Sequence, residues 1–472
     1  MKFTSTRDTS LELSGPEAIV QGLSREGGLF VPTEFPELVL DDFLGLDYEA
    51  LAAKIVGLYL PEFSADEVAG FVQAAYSDAL PVALHHLTDG ESVLELFHGH
   101  TSAFKDVALQ LLPYLMTASL KAGGESRKAV ILAATSGDTG SAVMSGFSGV
   151  PQTEVITFFP DSGISEIQRL QMTTQTAANV HAVAIKGNFD DAQRAVKEIF
   201  QDAAFVIKFD TKSFFTSANS INFGRLLPQI VYYFWTYSEL VKSDKIQKGD
   251  KVNYTVPTGN FGNILAGYYA KKMGLPVGHL ICATNKNSVL FDFFETGVYD
   301  RAREFYVTNS PSMDILVSSN FERFVYHMGG SRLVKETQAA LANDGRYTVP
   351  EAVFTQMKET FSSYTLDDAA TTALIDDVFD NFNYILDPHT AVAYGACEYY
   401  KAESQDSTYN VVLATASPYK FPATVEAATG KALDDAQIPE NLKDLTKRTV
   451  TQTQVIEKSA IRATIEEILS HD

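Results

Sequence analysis

From residue 93 to residue 283 the chain repeats one pattern. A short unbroken apolar run gives way to a polar loop, and then to a stretch in which apolar residues recur every three or four positions. The runs at 93–96, 129–133, 155–159, 180–184, 252–256 and 279–283 have strand length, and the stretches at 107–120, 192–200 and 221–240 have helical periodicity. Strands that are apolar on both faces and alternate with helices predict crossover units and a largely parallel sheet covered on both sides. A further run at 411–418 predicts a last buried strand ending in hydroxyl residues. In such sheets ligands bind beyond the carboxyl ends of the strands, where loops enter helix N-termini. The chemistry is therefore expected just after these runs.

Residues 1–90 read differently. Helical patterns at 16–23, 48–60 and 65–76, with a turn into a short strand near 27–32, carry no catalytic constellation and predict a cap or scaffold. The stretch 285–385 is mixed, with a helical pattern at 350–362, and the polar helical tail from about 428 is expected to pack on the surface.

Composition narrows the function. The 472 residues leave room for two or three domains at roughly 100–200 residues each. A net charge of −22 argues against nucleic acid or an anionic membrane as the main partner, so an anionic substrate must be attracted locally. The two cysteines, Cys282 and Cys397, make no disulfide framework and no metal-ligand spacing. The N-terminus has no apolar segment of the secretory kind, and no apolar run approaches the ~20 residues of a membrane span. A cytoplasmic globular protein is expected.

Three loops then stand out. Phe97 to Asp106 follows a strand and opens a helix, and it holds Lys105 next to Phe104. A helix N-terminus and partial burial both disfavour an ammonium, which favours the neutral amine that can form a Schiff base with an aldehyde. After the strand at 129–133 comes Thr135-Ser136-Gly137-Asp138-Thr139-Gly140-Ser141, hydroxyls and glycines that can offer donors to an anion or cap a helix. After the strand at 252–256 comes Pro257-Thr258-Gly259-Asn260-Phe261-Gly262-Asn263, a glycine-rich entry to a helix that suits a phosphate; it has neither the Walker nor the Rossmann spacing. Ser217 to Arg225 adds Asn219, Ser220, Asn222 and Arg225 within seven positions, more polar groups than one helix cap needs. Ser165 to Arg169 reads as a helix start, and His389 as a capping or packed histidine.

The whole set, in this order, resembles threonine synthases, within the fold-type II pyridoxal-phosphate enzymes. The resemblance begins with Gln21-Gly22-Leu23 and Gly28-Leu29-Phe30 and runs through the Lys105 loop, residues 135–142, 218–225 and 259–263. It continues through Ala283-Thr284-Asn285, Ser312-Met313-Asp314-Ile315 and residues 413–421. It implies an α/β fold of two open parallel-sheet domains with pyridoxal 5'-phosphate between them: a mainly helical region at 1–92, a large cofactor-binding domain at 93–128 and 216–472, and a small domain at 129–215.

By the same resemblance Lys105 binds the cofactor aldehyde and shuttles protons. Phe104 flanks the ring, Gly259, Asn260, Phe261, Gly262 and Asn263 cradle the phosphate, and Thr415 faces the pyridine nitrogen. Ser136, Gly137 and Thr139 are expected to receive the substrate carboxylate, with Asp138 near the cofactor's 3′-oxygen, and Asn219, Ser220, Asn222 and Arg225 to hold the substrate phosphate. Two departures matter. His100 stands where the family pattern has proline, which would loosen the loop, and Asp138 stands where relatives outside the threonine synthases have asparagine. The implied reaction turns O-phospho-L-homoserine and water into L-threonine and phosphate, by a monomer or homodimer without a metal. The rival expectations are a phospholyase that releases 2-oxobutyrate from the same substrate and a non-catalytic ligand-sensing module.

Overall fold

The computed structural model describes residues 1–470 other than Ser136, Gly163 and Asn188. Its larger sheet has six strands in the order Phe361–Thr365, Val277–Thr284, Val252–Pro257, Tyr409–Ala414, Glu91–Glu95 and Ala83–Thr88. All neighbours are parallel except the last pair, in which Ala83–Thr88 runs antiparallel to Glu91–Glu95. Side chains alternate between the faces of a strand, and the core divides accordingly. Leu280, Cys282, Val411 and Leu413 join one apolar cluster, while Ile281, Ala283 and Val412 face the opposite one under the helix Pro388–Ser404. The unbroken apolar runs thus arise from burial on both faces.

The smaller sheet has five parallel strands in the order Val455–Glu457, Val180–Lys186, Thr153–Pro160, Lys128–Ala134 and Ser213–Thr216. One face packs Val130, Leu132, Ile156, Phe158, Val183 and Ile185 against the helices Phe189–Gln201 and Ile461–Ser470. The C-terminal tail therefore does not lie loosely on the large domain. Val455–Glu457 supplies an edge strand, and Ile461, Ile465 and Leu469 complete the small sheet's core. This corrects the expected assignment of 216–472 to the large domain.

The start of the chain also differs from the expected boundary at 92, since Ala83–Thr88 already belongs to the large sheet. The helices Gly15–Gln21, Tyr48–Tyr59 and Ala65–Tyr76 form where their periodicity predicts. They share one core with the long helix Phe223–Lys242, as the edge-on contacts Phe3–Phe223 (4.6 Å) and Tyr48–Trp235 (6.0 Å) show. The mixed stretch resolves into the strand Phe361–Thr365, the helical span Phe321–Asp344, which is broken at Gly330, and the helix Asp368–Phe382, among others. No helix among the described residues is long and apolar enough to cross a membrane.

Candidate active site

Where the carboxyl ends of the two sheets meet, a cleft of about 1370 Å3 opens, and Lys105 lines it. The strand Glu91–Glu95 delivers the chain into a tightly braced loop. The Asp106 carboxylate accepts from the Thr101 amide (2.8 Å) and hydroxyl (2.7 Å), and Asn441 Nδ2 donates to the Gly99 carbonyl (3.1 Å) and Ser102 Oγ (2.9 Å). Gly99 packs against Asp106 so closely that a Cβ would overlap it. The loop is also laced to the outlet of the last strand, with Phe104 N donating to Thr415 O (2.8 Å) and Ser417 N to Ser102 O (3.0 Å).

Lys105 is the first residue of the short helix Lys105–Leu109. The predicted helix at 107–120 is broken there: a second helix, Leu112–Ala122, restarts with Pro113 in its first turn, a position where proline's missing N–H costs no hydrogen bond. Burial lowers the Lys105 ammonium to about 8; Asp138 pulls it up, and Arg225 and Lys420 push it further down. The amine is therefore available near neutral pH. Its Nζ lies 5.8 Å from the centre of the Phe104 ring.

Asp138 begins the helix Asp138–Phe147 at the end of the strand Lys128–Ala134. Thr135 Oγ1 accepts from Gly137 N and Gly140 N (both 2.9 Å), shaping the turn, and Gly137 takes φ 138°, a conformation open to glycine. The Asp138 side chain is buried and receives Lys420 Nζ (2.7 Å), Gln168 Nε2 (2.9 Å) and Ser312 Oγ (3.1 Å). Burial alone would raise its carboxyl, but Lys420, Lys105 and Gln168 outweigh that and hold it well below the ordinary carboxylate range. Sequence reasoning placed Asp138 at the site and missed Lys420, Gln168 and Ser312. The cue for Gln168 was hidden because Ser165–Gln168 also forms a capping box, the helix start read there. Thr139 lines the cleft, and Ser136 lies outside the described residues.

On the opposite wall, Gly259 to Asn263 joins the strand Val252–Pro257 to the helix Gly262–Lys272. No side chain caps that helix, and Phe261 takes φ 61° to turn into it. Gly259 has no space for a side chain, since a Cβ would lie 2.9 Å from Ser312 O. Ser318 Oγ donates to Gly259 O (2.7 Å) and Asn320 N to Asn260 O (3.0 Å). Asn263 Nδ2 is buried without a partner although its Oδ1 accepts from Tyr232 and Tyr233. An uncapped helix entry, a glycine pressed against a neighbouring loop and an orphaned amide donor fit a bound phosphate group. Thr415, just past the strand Tyr409–Ala414, is buried beside the Lys105 loop.

The loop 217–222 closes one end of the cleft, and there the expectations divide. Asn219 and Ser220 line the cavity. Asn222 does not, because its side chain caps the helix Phe223–Lys242 by accepting from Gly224 N (2.8 Å) and donates to Ile19 O and Ser217 O (both 2.9 Å). With its polar atoms committed, Asn222 is a structural residue, which corrects its expected place in a phosphate site. Arg225 lies buried behind the loop, donating Nη1 to Ala218 O (2.6 Å), and its Nε has no partner. Burial lowers its guanidinium to about 10, with Asp106 acting the other way.

His389 is the packed histidine expected, but it also reaches the site: Nδ1 pairs with Asp387 (2.7 Å) and Nε2 accepts from Ser312 N (3.1 Å). Among the described residues, one group gathers potential metal ligands, Glu91, Cys397 and Glu398, and Lys401 already sits 3.4 Å and 2.6 Å from its two carboxylates.

Comparison with known proteins agrees with this geometry. Residues 93–416 match the family described as pyridoxal-phosphate dependent enzyme, residues 2–76 the threonine synthase N terminus, and residues 390–465 the threonine synthase C-terminal family. The threonine synthase of Schizosaccharomyces pombe is 39% identical over 92% of this chain and 90% of its own. A pyridoxal-phosphate-bound threonine synthase from Brucella melitensis superposes with a TM-score of 0.90 at 38% identity, covering 100% of this chain and 99% of that one. The yeast threonine synthase structure gives 0.89 at 35% identity over 100% and 99%.

Proposed function

This chain belongs to the threonine synthase family of pyridoxal-phosphate-dependent enzymes, and on that premise we propose that it converts O-phospho-L-homoserine and water to L-threonine and phosphate in the cleft between its two sheets. The observation that carries the reading is a cleft lysine with its ammonium lowered to about 8, lining the same cleft as Asn260 of an uncapped, glycine-rich helix entry. Pyridoxal phosphate, once bound, supplies the electron sink that lets a proton leave the carbon beside the substrate's amino group. Lys105 would hold the cofactor, and its amine is the group that would remove and return protons at the substrate's Cα and Cβ. Gly259, Asn260, Phe261, Gly262 and Asn263 hold the cofactor phosphate. Phe104 would pack on the ring, and Thr415 would offer a neutral hydroxyl to the ring nitrogen. The turn Gly137-Asp138-Thr139 takes the substrate carboxylate side and the cofactor's 3′-oxygen.

Two phosphates require two sites. Asn219 and Ser220 line the cleft and bind the substrate phosphate, with the Arg225 charge held behind them; the unpartnered donor Arg225 Nε supports this. The protein acts in the cytoplasm as a monomer or homodimer.

A product assay on the holoenzyme with O-phospho-L-homoserine tests the reading. Equimolar threonine and phosphate are expected. Phosphate with 2-oxobutyrate would instead make the chain a phospholyase on the same scaffold, and no phosphate release would refute both. The phosphate assignment is tested separately by Arg225→Ala, which should raise the substrate KM; an unchanged KM and turnover would refute it.

A further inference from the structure

Lys420 is a fully enclosed charged group behind the cleft. It is 0% exposed, and it follows the last strand of the large sheet in the short turn Pro418–Lys420. Its Nζ donates to Thr101 O (2.9 Å) in the Lys105 loop and pairs with Asp138 Oδ1 (2.7 Å) at the start of a small-domain helix. One ammonium therefore joins three pieces of chain that arrive from two different sheets. Asp138 also accepts from Gln168 (2.9 Å) and from Ser312 Oγ (3.1 Å), and the Ser312 backbone is itself held by His389. Lys105 lines the cleft and Lys420 does not, so Lys420 has neither the access nor a free lone pair for covalent chemistry.

We propose that Lys420 is a second lysine of this active site, a positioning residue whose ammonium fixes the Asp138 carboxylate across the domain boundary and shares its negative charge with Lys105. The proposal rests on Lys105 being the cofactor lysine. A buried charge pair that loses one member leaves the other uncompensated. Without Lys420, Lys105 becomes the cation nearest in role to Asp138, and the charged form of the nitrogen at position 105 is stabilised. The other charged groups around this cluster are Arg225, which faces Lys105, and Asp106, which faces Arg225 and feels Lys420 and His100. None of them replaces the Lys420 contact, because Asp106 is committed to Thr101 and Arg225 to Ala218.

The test is a pH titration of the cofactor's visible absorption band in full-length holoenzyme. Lys420→Met should move the midpoint upward by about one unit or more. Lys420→Arg should titrate close to the wild type, and the double variant Lys420→Met/Asp138→Asn should return towards it, because the uncompensated carboxylate is gone. A folded Lys420→Met holoenzyme titrating at the wild-type midpoint would overturn the proposal. If Lys420→Met does not fold, the double variant is expected to fold again; its failure to do so would make Lys420 a packing residue and overturn the proposal too. Lys105→Ala isolates the premise. If that variant keeps the band, the cofactor assignment fails, whatever Lys420 does.

Discussion

Lys105 is one of the few groups in the chain whose chemistry is set by its surroundings more than by its type. Its ammonium, lowered to about 8 by burial, is deprotonated above that pH and protonated below it. Only the free amine attacks an aldehyde. Reattachment of pyridoxal phosphate to the cofactor-free protein should therefore slow about tenfold for each pH unit below 8 and level off above it, which stopped-flow absorbance can follow. Lys105→Ala should abolish the band and lower turnover by at least the roughly 10²–10⁴-fold that a positioned proton carrier contributes. Asp138→Asn removes the anion that pulls Lys105 upward, so the midpoint of the band should move down while the cofactor still binds. At this scale the sequence was most informative where a residue type was improbable in its place, as with Lys105, and where glycines left a helix uncapped, as at 259–263. Lys420 and Ser312 lay inside stretches that carried the family resemblance, but neither was given a role, because a lone lysine or serine in a turn has no local mark of burial. The sequence misled at Asn222, because an asparagine before a helix carries both the oxygen that caps the helix and the donors that an anion would take, and the sequence does not show where either points.

Elements, rather than single side chains, decide how Lys105 faces Asp138. The helix carrying Lys105 packs on the small-domain helix Asp138–Phe147 at Gly146, where an added Cβ would overlap the Leu109 carbonyl. Gly146→Ala must push the two helices apart. We expect a loss of about 1–3 kcal/mol, the usual cost of overpacking, read as a lower Tm, together with a changed pH midpoint of the cofactor band; a variant with an unaltered Tm and midpoint would contradict the close approach. Most strands of 93–283 were legible as unbroken apolar runs because they are buried on both faces, but the short edge strand Ser213–Thr216, half-buried at Phe214 and Phe215, was not. The break at residues 110–111 was not legible, since Val107 to Leu120 keeps an apolar period on both sides of it and Pro113 is compatible with a helix start.

The whole molecule closes on itself through its ends. The N-terminal helices share the core of the helix Phe223–Lys242, and the last sixteen described residues finish the small sheet. A short polar tail gave no sign of this, because an edge strand of three residues has no period to read and its partner lies far away in sequence. Removing residues 455–470 should expose the face under Ile461, Ile465 and Leu469, each worth about 1.5–3 kcal/mol when buried. Hydrogen exchange should then accelerate in the strand Val180–Lys186 before it does so in Val252–Pro257. The central claim, that Lys105 rather than Lys420 carries the cofactor in a cleft built from both sheets, is tested most directly by reducing the holoenzyme with borohydride and mapping the pyridoxyl phosphate by peptide mass spectrometry. The adduct should lie on the peptide containing Lys105; an adduct on Lys420, or none on Lys105, would contradict the account.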